Sequence, residues 1–330
     1  MKIAVVGPSY KNENVNEFYN AQGEEIVDHS VCSMTLGLTK ALRKHGFDAY
    51  IWKGEKIDAD AAFICEYNYN DHIMKNNLWD YTKPTIVWLH FDFPSKIIDG
   101  HKLKSMTSGL AFTRQEALDS FKKKWGDGNY FIIPWAFPEW WKTPPEKPNP
   151  YKSNTKNIVY AGRIEKNGNI IKFVKYVADN LPNVNIHIIS NCKDLEIINH
   201  LKSSKNINYI GSMPHGTFLN YLYYADLALD TGIFDNRMAN NCKIWDYLAM
   251  GVPIVTDGKC GGDELIYATK NGSIVNRLDF SKYLLAINEI LNGKEFPRSQ
   301  AIEYMQKNWT WEKTSDLWIN WAEKIYKQLI

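Results

Sequence analysis

The sequence predicts two α/β domains, each built on a parallel β-sheet with helices on both faces. Short apolar runs alternate with amphipathic segments in both halves of the chain, and this alternation is typical of a parallel sheet covered on both sides. Six of the 13 prolines fall within 134–150, which no regular element tolerates. A chain of 330 residues, 45% of them hydrophobic, is long enough for two cores.

The first half opens with an apolar strand, Lys2–Val6, and a helix is predicted over 25–45 before Gly46. The loop between them has neither the GxGxxG pattern of a dinucleotide site nor that of a P-loop, which argues against both ligands. Further strands are predicted over 48–52, 61–67, 85–90 and 109–113. Arg114 and Glu116 then start a helix that ends in the basic run 122–125.

The proline-rich segment 134–150 is predicted to link the domains, and the alternation begins again after it. Strands are predicted over 157–161, 185–190 and 207–210, and helices over 171–180, 195–201 and 310–328. We therefore expect a first domain over 1–150, a second over 151–310 and a terminal helical segment over 311–330.

The run Asn240–Val255 joins a predicted helix to a short buried strand through Gly251 and Pro253. Lys243 and Asp246 are three residues apart, so they share one helix face beside an apolar stripe. Ordinary α/β packing explains a helix, a glycine and a strand in this order. Two charges in the last turns before a core strand also fit a ligand site.

Four segments carry a resemblance to a known family: 157–168, 207–229, 240–255 and 261–275. In this order they resemble the C-terminal half of the group-1, family 4-like, nucleotide-sugar glycosyltransferases. The resemblance implies the GT-B fold, two Rossmann-like domains facing across a cleft. It also implies a retaining transfer in which the second domain binds the donor and the first binds the acceptor. The last helix of this family commonly packs back on the first domain.

The resemblance assigns donor-binding roles to residues of the second domain. It places Gly162 at the diphosphate, with Arg163 and Lys166 as the catalytic cations that stabilise it. Asp246 matches the second acid of the family's acid pair, which accepts hydrogen bonds from ribose hydroxyls. The first acid would stand at position 238, where this chain has Met238.

The remaining assigned residues complete the expected donor and acceptor sites. Lys243, Asn240 and Asn241 are expected to contact the donor. The start of a helix at Gly261, Gly262 and Glu264 is expected to offer backbone N–H groups to the diphosphate. In the first domain the expected residues are Gly7 at the donor, His90 facing the sugar and Asp92 on the acceptor side.

We expect no cofactor and no obligatory metal. Asp58 and Asp60 form a DxD pattern, which binds metal in the other large glycosyltransferase architecture, but it precedes a predicted strand and is common by chance. The five cysteines show no metal-ligand spacing and indicate free thiols in a reducing compartment.

The partners expected are a nucleotide-sugar donor, with UDP-sugars foremost, and a glycan, lipid or other hydroxyl acceptor. The net charge of +2 indicates no overall affinity for nucleic acid. No hydrophobic leader precedes the first strand, so we expect a cytoplasmic protein. The tryptophan pairs near 140 and 310 suit either a domain interface or a peripheral membrane contact, and the sequence leaves the oligomeric state open.

Three other functions stay open at this stage. A phage-type enzyme that glycosylates modified DNA bases needs a basic cleft in the first domain and salt-sensitive binding. A relative that has lost catalysis is suggested by Met238 and would bind the donor without transfer. An unrelated nucleotide-using enzyme would prefer NAD or ATP.

Overall fold

A computed structural model of the chain shows two parallel sheets flanked by helices. The residues that it describes are 1–7, 29–65, 67–89, 99–138, 141, 143–145, 147–152, 155–164, 169–213, 215–230, 242–257, 261–275 and 279–329.

The first sheet has six parallel strands in the order β2-β1-β3-β4-β5-β6. The strands are β1 Lys2–Val6, β2 Asp48–Ile51, β3 Ala61–Ile64, β4 Thr85–Leu89, β5 Gly109–Phe112 and β6 Tyr130–Ile132. Ile3 of β1 lies opposite Ala49 on one side and Ala61 on the other. Strands β3, β4 and β5 are buried along their whole length because helices cover both faces.

The second sheet also has six parallel strands, in the order β12-β11-β10-β7-β8-β9. The strands are β7 Lys156–Ala161, β8 Val184–Ile189, β9 Ile207–Tyr209, β10 Leu227–Asp230, β11 Ile254–Thr256 and β12 Gly272–Ile274. The strand order reverses between β7 and β10, so their carboxyl ends form the topological switch point at which open α/β sheets bind ligands.

The part of the chain that the structure describes contains twelve helices. Those of the first half are α1 His29–Lys44, α2 Tyr67–Lys75, α3 Gly100–Met106 and α4 Gln115–Trp125. Those of the second half are α5 Asn169–Asn180, α6 Leu195–Lys202, α7 His215–Tyr224, α8 Cys242–Ala249, α9 Asp263–Thr269, α10 Phe280–Leu291, α11 Arg298–Asn308 and α12 Trp311–Leu329.

Helix α12 packs against α1 of the first domain, and its aromatic rings contact Trp88 of β4 and Trp135 in the segment after β6. The ring of Trp311 lies 5.3 Å from that of Trp135 and 6.1 Å from that of Trp88, and Trp318 contacts Trp88 at 5.6 Å. Gly37 allows α1 to approach, because a Cβ atom there would lie 2.5 Å from Cγ of Trp311. The C-terminal helix therefore completes the core of the first domain.

The segment between β6 and β7 meets the chain again just before α12. Phe137 N–H donates to the carbonyl of Trp309 at 2.9 Å, and Trp311 N–H donates to the carbonyl of Phe137 at 3.1 Å. Trp309 in turn packs edge-on against Trp245 of α8, with ring centroids 6.0 Å apart. The tryptophans near 310 thus lie at the junction of the two domains rather than on an outer surface.

The predicted fold class is confirmed, and the differences from the predicted elements are local. The strand predicted over 61–67 is wrong at its end: β3 stops at Ile64 and α2 begins at Tyr67. The two tyrosines at 67 and 69 suit strands, but Asn70 and Asp71 between apolar positions continue a helix. Helices α3, α10 and α11 and the three-residue strand β6 were not predicted. Helix α3 has a recognisable start, since Asp99 accepts a hydrogen bond from Lys102 N–H at its N-cap.

Candidate active site

The carboxyl ends of β7, β10 and β11 bring a buried ion pair to the switch point of the second sheet. Lys243 of α8 reaches the last residue of β10, with Nζ 2.9 Å from Oδ1 of Asp230. The Asp230 side chain is 1% exposed and that of Lys243 20%. Thr256, which ends β11, donates its hydroxyl to the other carboxylate oxygen of Asp230 at 3.0 Å. Burial by itself lowers the pKa of Lys243. The attraction of Asp230 outweighs this effect and holds the pKa of Lys243 well above the usual value.

The lysine also packs against the strand that precedes the predicted diphosphate turn. Its Nζ lies 4.9 Å from the ring centroid of Tyr160, a distance suited to a cation–π interaction. A Cβ atom on Gly162 would lie 3.0 Å from Cδ of Lys243, and Gly162 has φ of +145°. Glycine is therefore required here both by backbone conformation and by the approach of Lys243.

Two buried tyrosines fix the backbone around Gly162. Tyr247 of α8 accepts from Ala161 N–H at 2.9 Å, and its hydroxyl lies 3.2 Å from the Ala161 carbonyl. The hydroxyl of Tyr160 donates to the carbonyl of Arg163 at 2.7 Å. Arg163 itself is an exposed residue at this edge. The turn after β7 is thus held rigidly, with a guanidinium at its surface.

Asp246 lies one turn after Lys243 on α8 but is not its ionic partner, which is Asp230. Asp246 is a half-buried residue. Desolvation raises the pKa of Asp246 well above that of an ordinary aspartate. The group is therefore a protonated acid over a wider pH range, able to donate one hydrogen bond and accept others.

Glu264 has a partner that the sequence did not indicate. Arg114 of the first domain places Nη1 2.8 Å and 3.1 Å from the two carboxylate oxygens of Glu264. Glu264 also accepts from Gly262 N–H at 3.2 Å. Gly261 and Gly262 take φ of +74° and +96°, values that favour glycine. The start of α9 is therefore tied to the first domain through Glu264.

The other predicted residues divide into those that the structure describes and those that it does not. Gly7 is buried at the end of β1, where a Cβ atom would lie 2.7 Å from Oγ1 of Thr35 and 3.0 Å from Cβ of Cys65, so tight packing already requires glycine there. His90, Asp92, Lys166, Asn240 and Asn241, with Met238, lie outside the described residues and stay predictions.

Sequence reasoning missed Asp230, Tyr160 and Arg114. Asp230 is the one acid in the apolar strand Leu-Ala-Leu-Asp, and a charge that ends a buried strand was a usable signal. Tyr160 gave no such signal, because an aromatic residue in a strand is ordinary. Arg114 gave only a weak one, as a cation placed just before a helix.

The DxD pattern has a structural role. Nζ of Lys2 lies 2.7 Å from Oδ2 of Asp58, and Lys2 N–H donates to Asp60 at 2.7 Å, so both acids fix the start of β1. Within the described ranges, no group of three or more His, Cys, Asp or Glu side chains is placed to hold a metal ion. None of the helices described there is long and apolar enough to cross a membrane.

A cavity of about 360 Å³ lies at the opposite edge of the first sheet, where β5 and β6 begin. Its polar groups bond to the protein: Lys104 donates to the carbonyls of Trp125 and Asp127, and Tyr130 donates to that of Gly126. It is remote from the switch point of either sheet and is not part of the candidate site.

No protein-family model and no curated protein sequence matches the chain. Solved structures do. The chain is similar over 99% of its length to 98% of a sucrose-phosphate synthase from Thermosynechococcus elongatus, with a TM-score of 0.69 and 12% identity. It is similar over 98% of its length to 97% of AviGT4, a glycosyltransferase of avilamycin A biosynthesis, with a TM-score of 0.62 and 11% identity.

A third similar structure is the pneumococcal O-GlcNAc transferase GtfA, solved in complex with UDP and GlcNAc. The match covers 90% of this chain and 61% of that protein, with a TM-score of 0.58 and 13% identity. At sequence identities this low, structural similarity establishes the fold and nothing finer. With two parallel six-stranded sheets and these neighbours, the chain has the GT-B fold.

Proposed function

We propose that the chain is a retaining glycosyltransferase, which transfers a sugar from a nucleoside-diphosphate sugar to a hydroxyl of a glycan, lipid or other acceptor. The observation that carries the proposal is the Lys243–Asp230 pair beside Gly162 at the switch point of the second sheet. A buried ion pair is costly, and a packed apolar pair often serves stability as well or better. Its place in a GT-B fold supports a role in shaping a donor site.

Arg163 is the residue we assign to the diphosphate. A guanidinium can bind two phosphate oxygens at once, and the rigid turn held by Tyr160 and Tyr247 would keep it oriented before the donor arrives. Lys166 is the second cation expected from the family resemblance. Lys243 is committed to Asp230, so we assign it to holding the turn rather than to direct neutralisation of the diphosphate.

Asp246 is the residue we assign to the ribose. Its raised pKa favours a neutral carboxyl, which can donate to one ribose hydroxyl and accept from the other. This differs from the ionised acid expected from the family pattern. With Met238 in place of the first acid, the donor would be held by one acid, with Asn240 and Asn241 as neutral partners.

In the proposed reaction, an acceptor oxygen forms a bond to the anomeric carbon as the bond from that carbon to the diphosphate breaks. The departing diphosphate takes the acceptor proton on the same face, so configuration is retained and no enzymic nucleophile is needed. Arg163 stabilises the negative charge that grows on the leaving group. His90 facing the sugar and Asp92 near the acceptor stay predictions. UDP-sugars are the first donors to test, because one similar structure was solved with UDP and GlcNAc.

The test is a thermal-shift screen of the full chain against UDP-, GDP- and ADP-sugars, with NAD and ATP as comparison ligands. A ligand at 100 times its Kd stabilises the folded state by about 2.7 kcal/mol. We expect at least one nucleotide sugar to raise Tm, and EDTA to leave turnover intact. A shift with NAD or ATP alone would contradict the proposal.

Transfer assays then separate the remaining alternatives. Donor binding without hydrolysis or transfer would identify a relative that has lost catalysis. Transfer to modified DNA, with an affinity that falls steeply as salt rises, would identify a DNA-modifying enzyme.

A further inference from the structure

Arg114 occupies a position that its own helix does not explain. It follows β5 and is the N-cap residue of α4, with an extended backbone and no capping hydrogen bond from its side chain. N-cap positions favour Ser, Thr, Asp or Asn, and the helix dipole disfavours a cation there. The reason for an arginine at this position must therefore lie outside α4.

Its partners lie mainly on the second domain. Nη1 of Arg114 binds Glu264, 150 residues away, and Nη2 lies 3.8 Å from Asp263 and 3.4 Å from Glu116 of its own helix. The Arg114 side chain is only 12% exposed, against 48% for Glu264. Burial opposes its charge, yet the attraction of Glu264 raises the pKa of Arg114. An ion pair that contains a largely buried arginine and charge-assisted hydrogen bonds stabilises a contact more than an ordinary surface ion pair does.

The contact continues from Glu264 into the candidate site. Glu264 accepts from Gly262 N–H, and Gly262 lies against α8, where a Cβ atom would be 2.9 Å from Cδ1 of Ile244. Ile244 stands next to Lys243 on α8. The Arg114–Glu264 ion pair therefore joins the first domain to the turn at Gly262. This turn packs against α8, the helix that carries Lys243.

We propose that Arg114 is an interdomain positioning residue, which holds the two domains together at the edge formed by α4 and α9 through Glu264, with Asp263 as a second acidic partner. Loss of this ion pair lets the domains open at this edge, while the junction at Phe137, Trp309 and Trp245 still joins them and each domain keeps its fold. The catalytic consequence rests on the proposed function: separation withdraws the acceptor from the donor sugar, so kcat falls while nucleotide binding to the second domain persists.

The test is small-angle X-ray scattering of the unliganded full chain. Arg114→Glu should increase the radius of gyration, and Arg114→Glu with Glu264→Arg should restore it, because the pair is rebuilt with reversed charges. Lys122→Glu is the matched control: it reverses an exposed lysine of the same helix, which pairs with Asp127 inside the first domain, and should scatter like the wild type. Arg114→Met, which adds no further acid to the cluster, takes the place of Arg114→Glu if circular dichroism shows that the latter does not fold.

A wild-type radius of gyration in both Arg114 variants would overturn the proposal, and so would a reversed pair that stays expanded. The kinetic measurement is a separate one: Arg114→Met should lower kcat about tenfold, the order of one coupled pair, with the Kd for UDP unchanged. If no nucleotide sugar is turned over by the wild type, the proposed function fails while the scattering result still decides the role of Arg114.

Discussion

The two sheets present different chemistry at the same edge. At the end of β1, the first sheet packs the small uncharged groups of Gly7, Thr35 and Cys65 against one another. At the end of β10, the second sheet buries an ion pair between Asp230 and Lys243. The switch point of the first sheet lies between β1 and β3, and that of the second sheet lies between β7 and β10, so the two sheets have similar topologies. The difference supports the proposal that the second domain binds the charged part of the donor.

The domains also differ in what completes their cores. The first relies on Trp311 and Trp318, more than 170 residues from β6, to close over Trp88 and Trp135. The second is closed by local helices, since α5 packs against β8 and α10 against β10 and β11. Damage to the C-terminal helix should therefore affect the first domain before the second.

The largest expected effect is in the second domain. Lys243→Met leaves Asp230 buried without its partner and should lower the free energy of unfolding by about 3–5 kcal/mol, measured by urea titration. The double variant Lys243→Met with Asp230→Leu should recover most of that stability but not donor binding. Lys156→Met, which breaks an exposed pair with Asp226, is the control, with a loss below about 1 kcal/mol. Equal losses in the two lysine variants would show that burial of the Lys243 pair is not what matters.

The next effect tests the first domain. Trp311→Ala removes a side chain that is 2% exposed and should lower its stability by about 3 kcal/mol, measured by urea unfolding followed by tryptophan fluorescence. UDP binding to the second domain should persist under conditions in which the first domain has lost its packing. Leu317→Ala, at an exposed position of the same helix, should change stability by less than about 0.5 kcal/mol. Simultaneous loss of UDP binding and first-domain packing would show that the two cores do not unfold separately.

A smaller effect is expected at the diphosphate. Arg163→Ala should lower kcat/KM about 30-fold, equivalent to about 2 kcal/mol of transition-state stabilisation, with little change in Tm because Arg163 is exposed. Lys172→Ala removes another exposed cation from the same domain and should leave kcat/KM unchanged. A reduction below threefold for Arg163→Ala would place the diphosphate elsewhere.

The fold could be predicted from the sequence because its determinants are local and repeated. Most buried strands are short and largely apolar runs, and Gly46 and Gly251 take the positive φ expected where a helix ends. Some elements were missed: β6 has only three residues, and α2 was obscured by two tyrosines that suit strands. The site was predicted only in part, since an ion pair such as Lys243–Asp230 joins residues that no sequence spacing brings together.

The same reason explains the misjudged partners. The sequence gives the spacing of Lys243 and Asp246 but not the direction in which each side chain leaves α8, and the structure turns the lysine towards β10. Glu264 could be assigned to the start of a helix, but its partner Arg114 depends on how the two domains meet. Burial of Asp246 likewise depends on the packed structure, although it decides whether that carboxyl is charged.

The smallest effect, and the one that most sharpens the contrast between the two edges, concerns Asp246. Its pKa is raised by desolvation, so between the unfolded value of about 3.9 and the raised folded value the folded chain binds more protons than the unfolded chain. The stability contributed by this group therefore falls as pH rises through that window. Asp246→Asn removes the titration and keeps the shape of the side chain. The Tm of the variant should therefore equal that of the wild type near pH 4 and exceed it towards neutral pH, by about 2–4 °C for each kcal/mol of difference in the free energy of unfolding.

Donor binding should follow the same logic. A neutral amide replaces a neutral acid, so Asp246→Asn should weaken UDP less than about threefold, whereas Asp246→Leu, which has no hydrogen-bonding group, should weaken it about tenfold. Calorimetry with UDP and with 2′,3′-dideoxy-UDP measures both, and the dideoxy ligand should not distinguish the variants. If Asp246→Asn lowers Tm at neutral pH and binds UDP as poorly as Asp246→Leu, Asp246 is an ionised acid in the folded chain, and the second edge holds a second buried charge rather than a neutral ribose contact.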